Sequence, residues 1–135
     1  MYTPAQKLKQ EADNLFRQQK YESAALKYGQ AIKLDGKNPI LFANRALCRL
    51  RMKQVRSYMD AGSDASNALR LDPSYAKAHA RYAEAHEAMG LCMHAEVGWR
   101  RALQALPEHH LTPTELELKG TFDRSHTEAL PKIQS

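Results

Sequence analysis

A chain of 135 residues is long enough for one domain to bury a core without disulfide or metal staples. Ala and Leu together supply 36 residues while Val, Ile and Thr supply only 10, a balance that favours helix over strand and makes the expected fold class all-α. The net charge of +5, with a pI near 9.3, is a mild basic bias. It is too small for a nucleic-acid footprint and suits an acidic protein partner if the cations share a face.

In chain order, Pro4 suits the first turn of a helix, and Ala5, Leu8, Ala12, Leu15 and Phe16 recur at helical spacing over 4–18. A second helix is expected over 21–34, stopped by Asp35-Gly36. Asn38-Pro39, a cap followed by proline, opens a third helix carrying Leu41, Phe42, Ala46, Leu47 and Leu50. The fourth holds Tyr58, Ala61, Ala65, Ala68 and Leu69. It ends at Leu71-Asp72-Pro73, because proline cannot continue a helix. The fifth and sixth span about 74–89 and 92–105 with Gly90 between them, and Leu106-Pro107 stops the last. Thr112-Pro113-Thr114-Glu115 then reads as a capping box opening a seventh helix, with Leu118, Phe122, Ser125 and Ala129 on one face. Gly120 weakens it by about 1 kcal/mol relative to Ala. Pro131 is expected to end it, leaving 131–135 as a disordered tail.

These helices form three copies of one unit. Ala12, Ala46 and Ala83 are one series; Ala24, Ala61 and Ala95 a second; Ala31, Ala68 and Ala102 a third; Tyr28, Ala65 and Trp99 a fourth. Gly36, Pro73 and Pro107 close the copies at intervals of 37 and 34 residues, so the middle copy carries about three extra residues over a 34-residue period. They fall between Ala46 and Ala61, and the turn around 55–58 is the expected place. Alanine at recurring positions permits close helix approach, and Tyr21, Tyr28, Tyr58, Tyr82 and Trp99 are the large side chains that fill the gaps. The repeats occupy about 5–38, 39–75 and 76–109 within a 1–110 unit. A capping helix over 111–130 covers the apolar end of the stack.

With Tyr21-Glu22-Ser23-Ala24-Ala25, Ala31-Ile32-Lys33-Leu34-Asp35 and Ala68-Leu69-Arg70-Leu71-Asp72-Pro73, the chain resembles the tetratricopeptide-repeat (TPR) family from about Pro4 to Leu130. The resemblance implies a right-handed superhelix of helix-turn-helix repeats. Its first helices line a concave groove for a partner peptide, so the implied function is that of a non-enzymatic adaptor. A narrower class of these domains holds the C-terminal Glu-Glu-Val-Asp of heat-shock chaperones. This sequence has Lys9, Asn44, Lys77 and Arg81 at four of the five places where that class holds the carboxylates, and Phe16, Leu47 and Leu50 where it forms an apolar floor. The spacing is chemically sensible on its own. Lys77 and Arg81 are four apart and share a helix face, and Lys9, Asn44 and Lys77 are separated by 35 and 33 residues, about one repeat each.

Asp13 is the departure, a carboxylate where the class has asparagine. It would repel an incoming carboxylate or, paired with Lys9 or Arg17, neutralise a clamp cation. Glu84 and Glu87 further dilute the field. The alternative reading is a generic repeat scaffold whose clamp is impaired by Asp13, carried within a larger protein. The expected partner is a protein, namely the tail of a heat-shock chaperone or another acidic peptide. No cofactor, nucleic acid or membrane contact is expected, and the domain is expected to be a monomer.

Of the six histidines, His79 and His86 are seven apart, and His109-His110 follow Glu108. Neither spacing matches a zinc site, and His79 and His86 are expected to pack. Arg49 to Lys53 and Arg100-Arg101 are expected at helix ends or outer faces. Cys48 and Cys92 have no Cys-x-x-Cys partner, which implies buried thiols in a reducing compartment, the cytoplasm or nucleus. No apolar run approaches a membrane span, and residues 1–7 do not resemble a signal peptide.

Overall fold

The computed structural model describes residues 2–107 and 111–134, with 114 and 128–134 as backbone only. Among them the chain forms seven α-helices: α1 (Pro4–Arg17), α2 (Tyr21–Leu34), α3 (Pro39–Arg51), α4 (Val55–Leu71), α5 (Ala76–Ala88), α6 (Cys92–Ala105) and α7 (Pro113–Gln134). None is long and apolar enough to cross a membrane.

Helix starts are set by local chemistry. Thr3 Oγ1 accepts from Gln6 N at 3.2 Å, and Gln6 Oε1 accepts in return from Thr3 N at 2.8 Å. Asn38 Oδ1 accepts from Ile40 N at 3.0 Å. Thr112 and Glu115 complete the expected capping box at 3.1 and 3.2 Å. Each satisfies an N–H that has no carbonyl partner inside its helix.

Within each repeat the two helices are joined by three residues whose middle member is left-handed: Gln19 (φ 63°), Lys53 (φ 55°) and Gly90 (φ 79°). Lys20 N donates to Leu15 O, and Leu91 N to His86 O, across the first and third turns at 2.9 and 2.8 Å. Because all three turns have one length, the extra residues of the middle copy do not lie in a turn, as the sequence suggested. They form a first turn of helix, Val55 to Ser57, ahead of Tyr58, which makes α4 17 residues long against 14 for α2 and α6. A three-residue insertion close to the 3.6-residue period lengthens a helix while leaving its buried face nearly in phase.

The helices stack in order, and α3 also meets α5 directly. Ala12, Ala24, Ala31, Ala46, Ala61, Ala65, Ala68, Ala83, Ala95 and Ala102 are all completely buried, as close helix approach requires. At Gly98 even a methyl group would lie 2.9 Å from Ala83 Cβ. Tyr28 and Trp99 are buried fillers, with Tyr21 and Tyr58 packed at the edges of their clusters. Trp99 meets Phe122 of α7 at 5.7 Å between ring centroids, and Leu118 packs on the same cluster. The seventh helix thereby covers the end of the stack. Its expected stop does not hold, since α7 continues through Pro131 to Gln134. Proline there removes a single backbone donor near the end of a long helix. Ser135 and the Ala129 side chain lie outside the described residues.

One recurring slot joins each second helix to its own first helix with a different chemistry in each repeat. In the first repeat Lys27 Nζ lies 3.2 Å from Glu11 Oε2. At the equivalent position of the second repeat Asp64, 1% exposed, accepts from Arg45 Nε and Nη2 and from Arg49 Nη1 at 2.7–3.2 Å. In the third repeat the position is Gly98, closed by backbone approach. Arg49 stands in the last turn of α3, at a helix end as expected, and is also drawn onto Asp64. His79 and His86 pack as expected, each with a ring nitrogen 2.8 Å from a backbone carbonyl, of Pro73 and Tyr82.

Candidate functional site

The first helices of the repeats, α1, α3 and α5, carry every residue that the sequence assigned to the peptide groove. Between α1, α2 and α3 lies a pocket of about 220 Å³ lined by Asp13, Phe16, Arg17, Tyr28, Asn44 and Leu47. Four of the expected site residues, Asp13, Phe16, Asn44 and Leu47, therefore share one cavity, with Phe16 and Leu47 as its apolar walls. Leu50 is not among them. It sits in the interior against Ala46, Ala61, Ala85 and Tyr58, one helical turn beyond Leu47 on the side turned toward α4 and α5.

Asp13 is the best-held polar group of the pocket. It accepts from Lys9 Nζ at 2.9 Å and from the hydroxyl of Tyr28. Arg17, the other candidate partner, donates instead to Asn14 Oδ1. Burial pushes the Tyr28 phenol far above its ordinary range, and its bond to the Asp13 carboxylate adds to the shift. The tyrosine therefore stays a proton donor to Asp13. The periodicity assigned Tyr28 to packing alone, and the role of its hydroxyl was missed. The available signal was the pairing of α1 with α2, which sets position 28 beside position 13.

On α5, Arg81 Nη1 lies 2.6 Å from Glu84 Oε1, while Lys77 is exposed. Glu87 accepts from Trp99 Nε1 at 3.3 Å. Two of the three expected clamp cations, Lys9 and Arg81, thus already rest on carboxylates of their own helices. Both pairs are partly open to solvent, and such pairs are worth about 1 kcal/mol or less. A ligand carboxylate can compete for either cation. No group of three or more potential metal-binding His, Cys, Asp or Glu side chains occurs among the described residues, and His109-His110 lie outside them.

A stack of paired helices with a polar-edged apolar pocket on its first-helix side defines a helical-repeat binding domain. No family model matches the chain. It is 39% identical over 98 residues, 73% of its length, to the mouse E3 ubiquitin-protein ligase TTC3, of which it spans 4%. It is 34% identical over 131 residues, 90% of its length, to the DnaJ homolog subfamily C member 7 homolog of Schizosaccharomyces pombe, of which it spans 27%. Among solved structures it matches the second TPR of Spaghetti (RPAP3), bound to the HSP90 peptide SRMEEVD. Identity is 34% and the TM-score 0.70, over 75% of this chain and 91% of that one.

The chain belongs to the tetratricopeptide-repeat family. Its helices are three such repeats in a right-handed superhelix, closed by a seventh helix.

Proposed function

We propose that this domain is an adaptor that binds the acidic C-terminal peptide of a heat-shock chaperone in the groove lined by α1, α3 and α5. Lys9, Asn44, Lys77 and Arg81 hold carboxylates, and Phe16 and Leu47 receive an aliphatic side chain. The observation that carries the reading is the shared cavity of Asp13, Phe16, Asn44 and Leu47, in a chain 34% identical to a repeat domain bound to a peptide ending in Glu-Glu-Val-Asp. Lysine and arginine supply charge, and asparagine donates its amide without adding repulsion. Binding is of micromolar strength and weakens with salt, because much of it is screened attraction between charges. The activity is binding and not catalysis, and a reducing compartment, cytoplasm or nucleus, suits the two free cysteines.

A second reading is favoured by one specific contact. The Lys9–Asp13 ion pair occupies a clamp cation with a carboxylate, so the scaffold serves another protein ligand, as one part of a longer protein. Calorimetric titration with a peptide ending in Met-Glu-Glu-Val-Asp, its C-terminally amidated twin and an Asp13→Asn variant separates the two. Native binding that amidation abolishes supports the first reading. Binding by Asp13→Asn alone supports the second, and no binding by either protein refutes the chaperone assignment.

A further inference from the structure

Away from the peptide groove, a second and larger pocket of about 460 Å³ opens between α2 and α4 over α3. Its α2 wall carries Glu22, Leu26, Gly29 and Lys33, spaced by four, three and four residues. That is the spacing of a helix seam that meets another helix along its length. The seam bears opposite charges at its two ends. It also carries one protruding apolar side chain, Leu26 at 66% exposed, and no side chain at Gly29, where Arg45 Nη1 stands 3.3 Å from the position a Cβ would take.

We propose that this face is a self-association surface on which a second copy of the chain docks its α2 antiparallel across a two-fold axis. Antiparallel pairing about the midpoint of positions 27 and 28 sets each Glu22 opposite the partner's Lys33. It sets each Leu26 opposite the partner's Gly29. Every feature of the seam meets its complement twice, as an isologous interface requires. Glu22 and Lys33 stand about 16 Å apart along the helix, so one docked helix engages both ends. By repeat register Asp60 of α4 stands level with position 23, at the acidic end. Arg45 and Arg49 on the floor are both held by Asp64, so the seam's own Glu22 and Lys33 set its polarity. Ala25 and Met52 add apolar surface to the same groove.

A dimer departs from the monomer expected from sequence, and it leaves the first-helix groove open. The equivalent α4 stripe, Met59, Ser63, Ser66 and Arg70, has no acidic end and no such symmetry, which singles out α2.

Sedimentation equilibrium from about 10 μM to 1 mM, a range that captures weak dimers, tests the assignment. Circular dichroism confirms that each variant stays helical. The native chain should dimerise. Glu22→Lys and Lys33→Glu each replace two attractions by two repulsions and should weaken the dimer about tenfold or more, whereas the double variant restores opposite charges and should recover it to within about threefold. Leu26→Asp should abolish it. A native chain that stays monomeric throughout, a dimer indifferent to the single charge changes, or a double variant that fails to recover would each overturn the proposal.

Discussion

Asp64→Ala removes the acceptor on which the middle repeat is fastened. The carboxylate lies under two guanidiniums and takes hydrogen bonds from three of their nitrogens. Taking away one partner of a buried ion pair costs about 3–5 kcal/mol, mostly because the remaining charge is left without compensation. Here the remaining charges are two, but the Arg45 and Arg49 side chains keep 20% and 27% of their surface in water. Solvent therefore recovers part of the loss, and about 3 kcal/mol is expected. For a domain of this size that lowers Tm by about 10 °C. Urea denaturation followed by circular dichroism measures it. The cycle with Arg45→Met should show coupling of at least about 1 kcal/mol, since the second change removes a charge that the first has stranded. A loss below about 1 kcal/mol, or additive single changes, would refute the claim that this triad fastens α3 to α4.

Three further outcomes are expected. Gly98→Ala overpacks the 2.9 Å approach to Ala83 and should cost about 1–3 kcal/mol, whereas Gly120→Ala, with nothing within 4 Å, should gain about 1 kcal/mol from helix propensity alone; both are read from urea midpoints. Phe122→Ala empties the contact between α7 and Trp99 and should cost about 3–4 kcal/mol, with a red shift in the emission of the single tryptophan showing that the cap has loosened. Burial pushes the Cys48 thiol from 9.0 up to about 12, and raises the phenols of Tyr28 and Tyr75 above 10.0. The unfolded chain therefore loses these protons first as pH rises, so the contribution of these three groups to stability should be constant below about pH 8 and fall above about pH 9, by up to about 1.4 kcal/mol per pH unit for each group. Cys48→Ala should remove the earliest part of that fall in denaturation curves taken from pH 7 to 11.

Helix positions were legible because the buried face of every repeat is written in alanine, and Pro39, Pro73 and Gly90 punctuate it. α2 and α6 occur at the expected residues. The three-residue insertion was visible as a period change, but its location was not. A pattern of spacings cannot distinguish a longer turn from an added helical turn, and only the shared geometry of Gln19, Lys53 and Gly90 decides. Pro131 misled for a related reason, since the rule for proline describes the cost of continuing a helix and not what neighbouring residues tolerate. At the site, the family resemblance assigned Asp13, Phe16, Asn44 and Leu47 to one groove, and these four line one cavity. It assigned Leu50 to the same floor, whereas the interior claims that side chain. The choice of Lys9 over Arg17 by Asp13, and the hydroxyl reach of Tyr28, depend on rotamers and cross-helix distances that one-dimensional spacing does not contain.

The slot between paired helices bears on how a chain of near-copies finds its correct order. Three similar hairpins could exchange second helices while folding, since their alanine faces are almost interchangeable. Placing α2 in the slot of α4 against α3 would bring Lys27 against Arg45, and placing α4 in the slot of α2 against α1 would bring Asp64 against Glu11. Each swap sets like charges together where the native pairing joins opposite ones. The pairings differ in chemistry as keys differ in their cuts, so charge favours the native assignment over either swap.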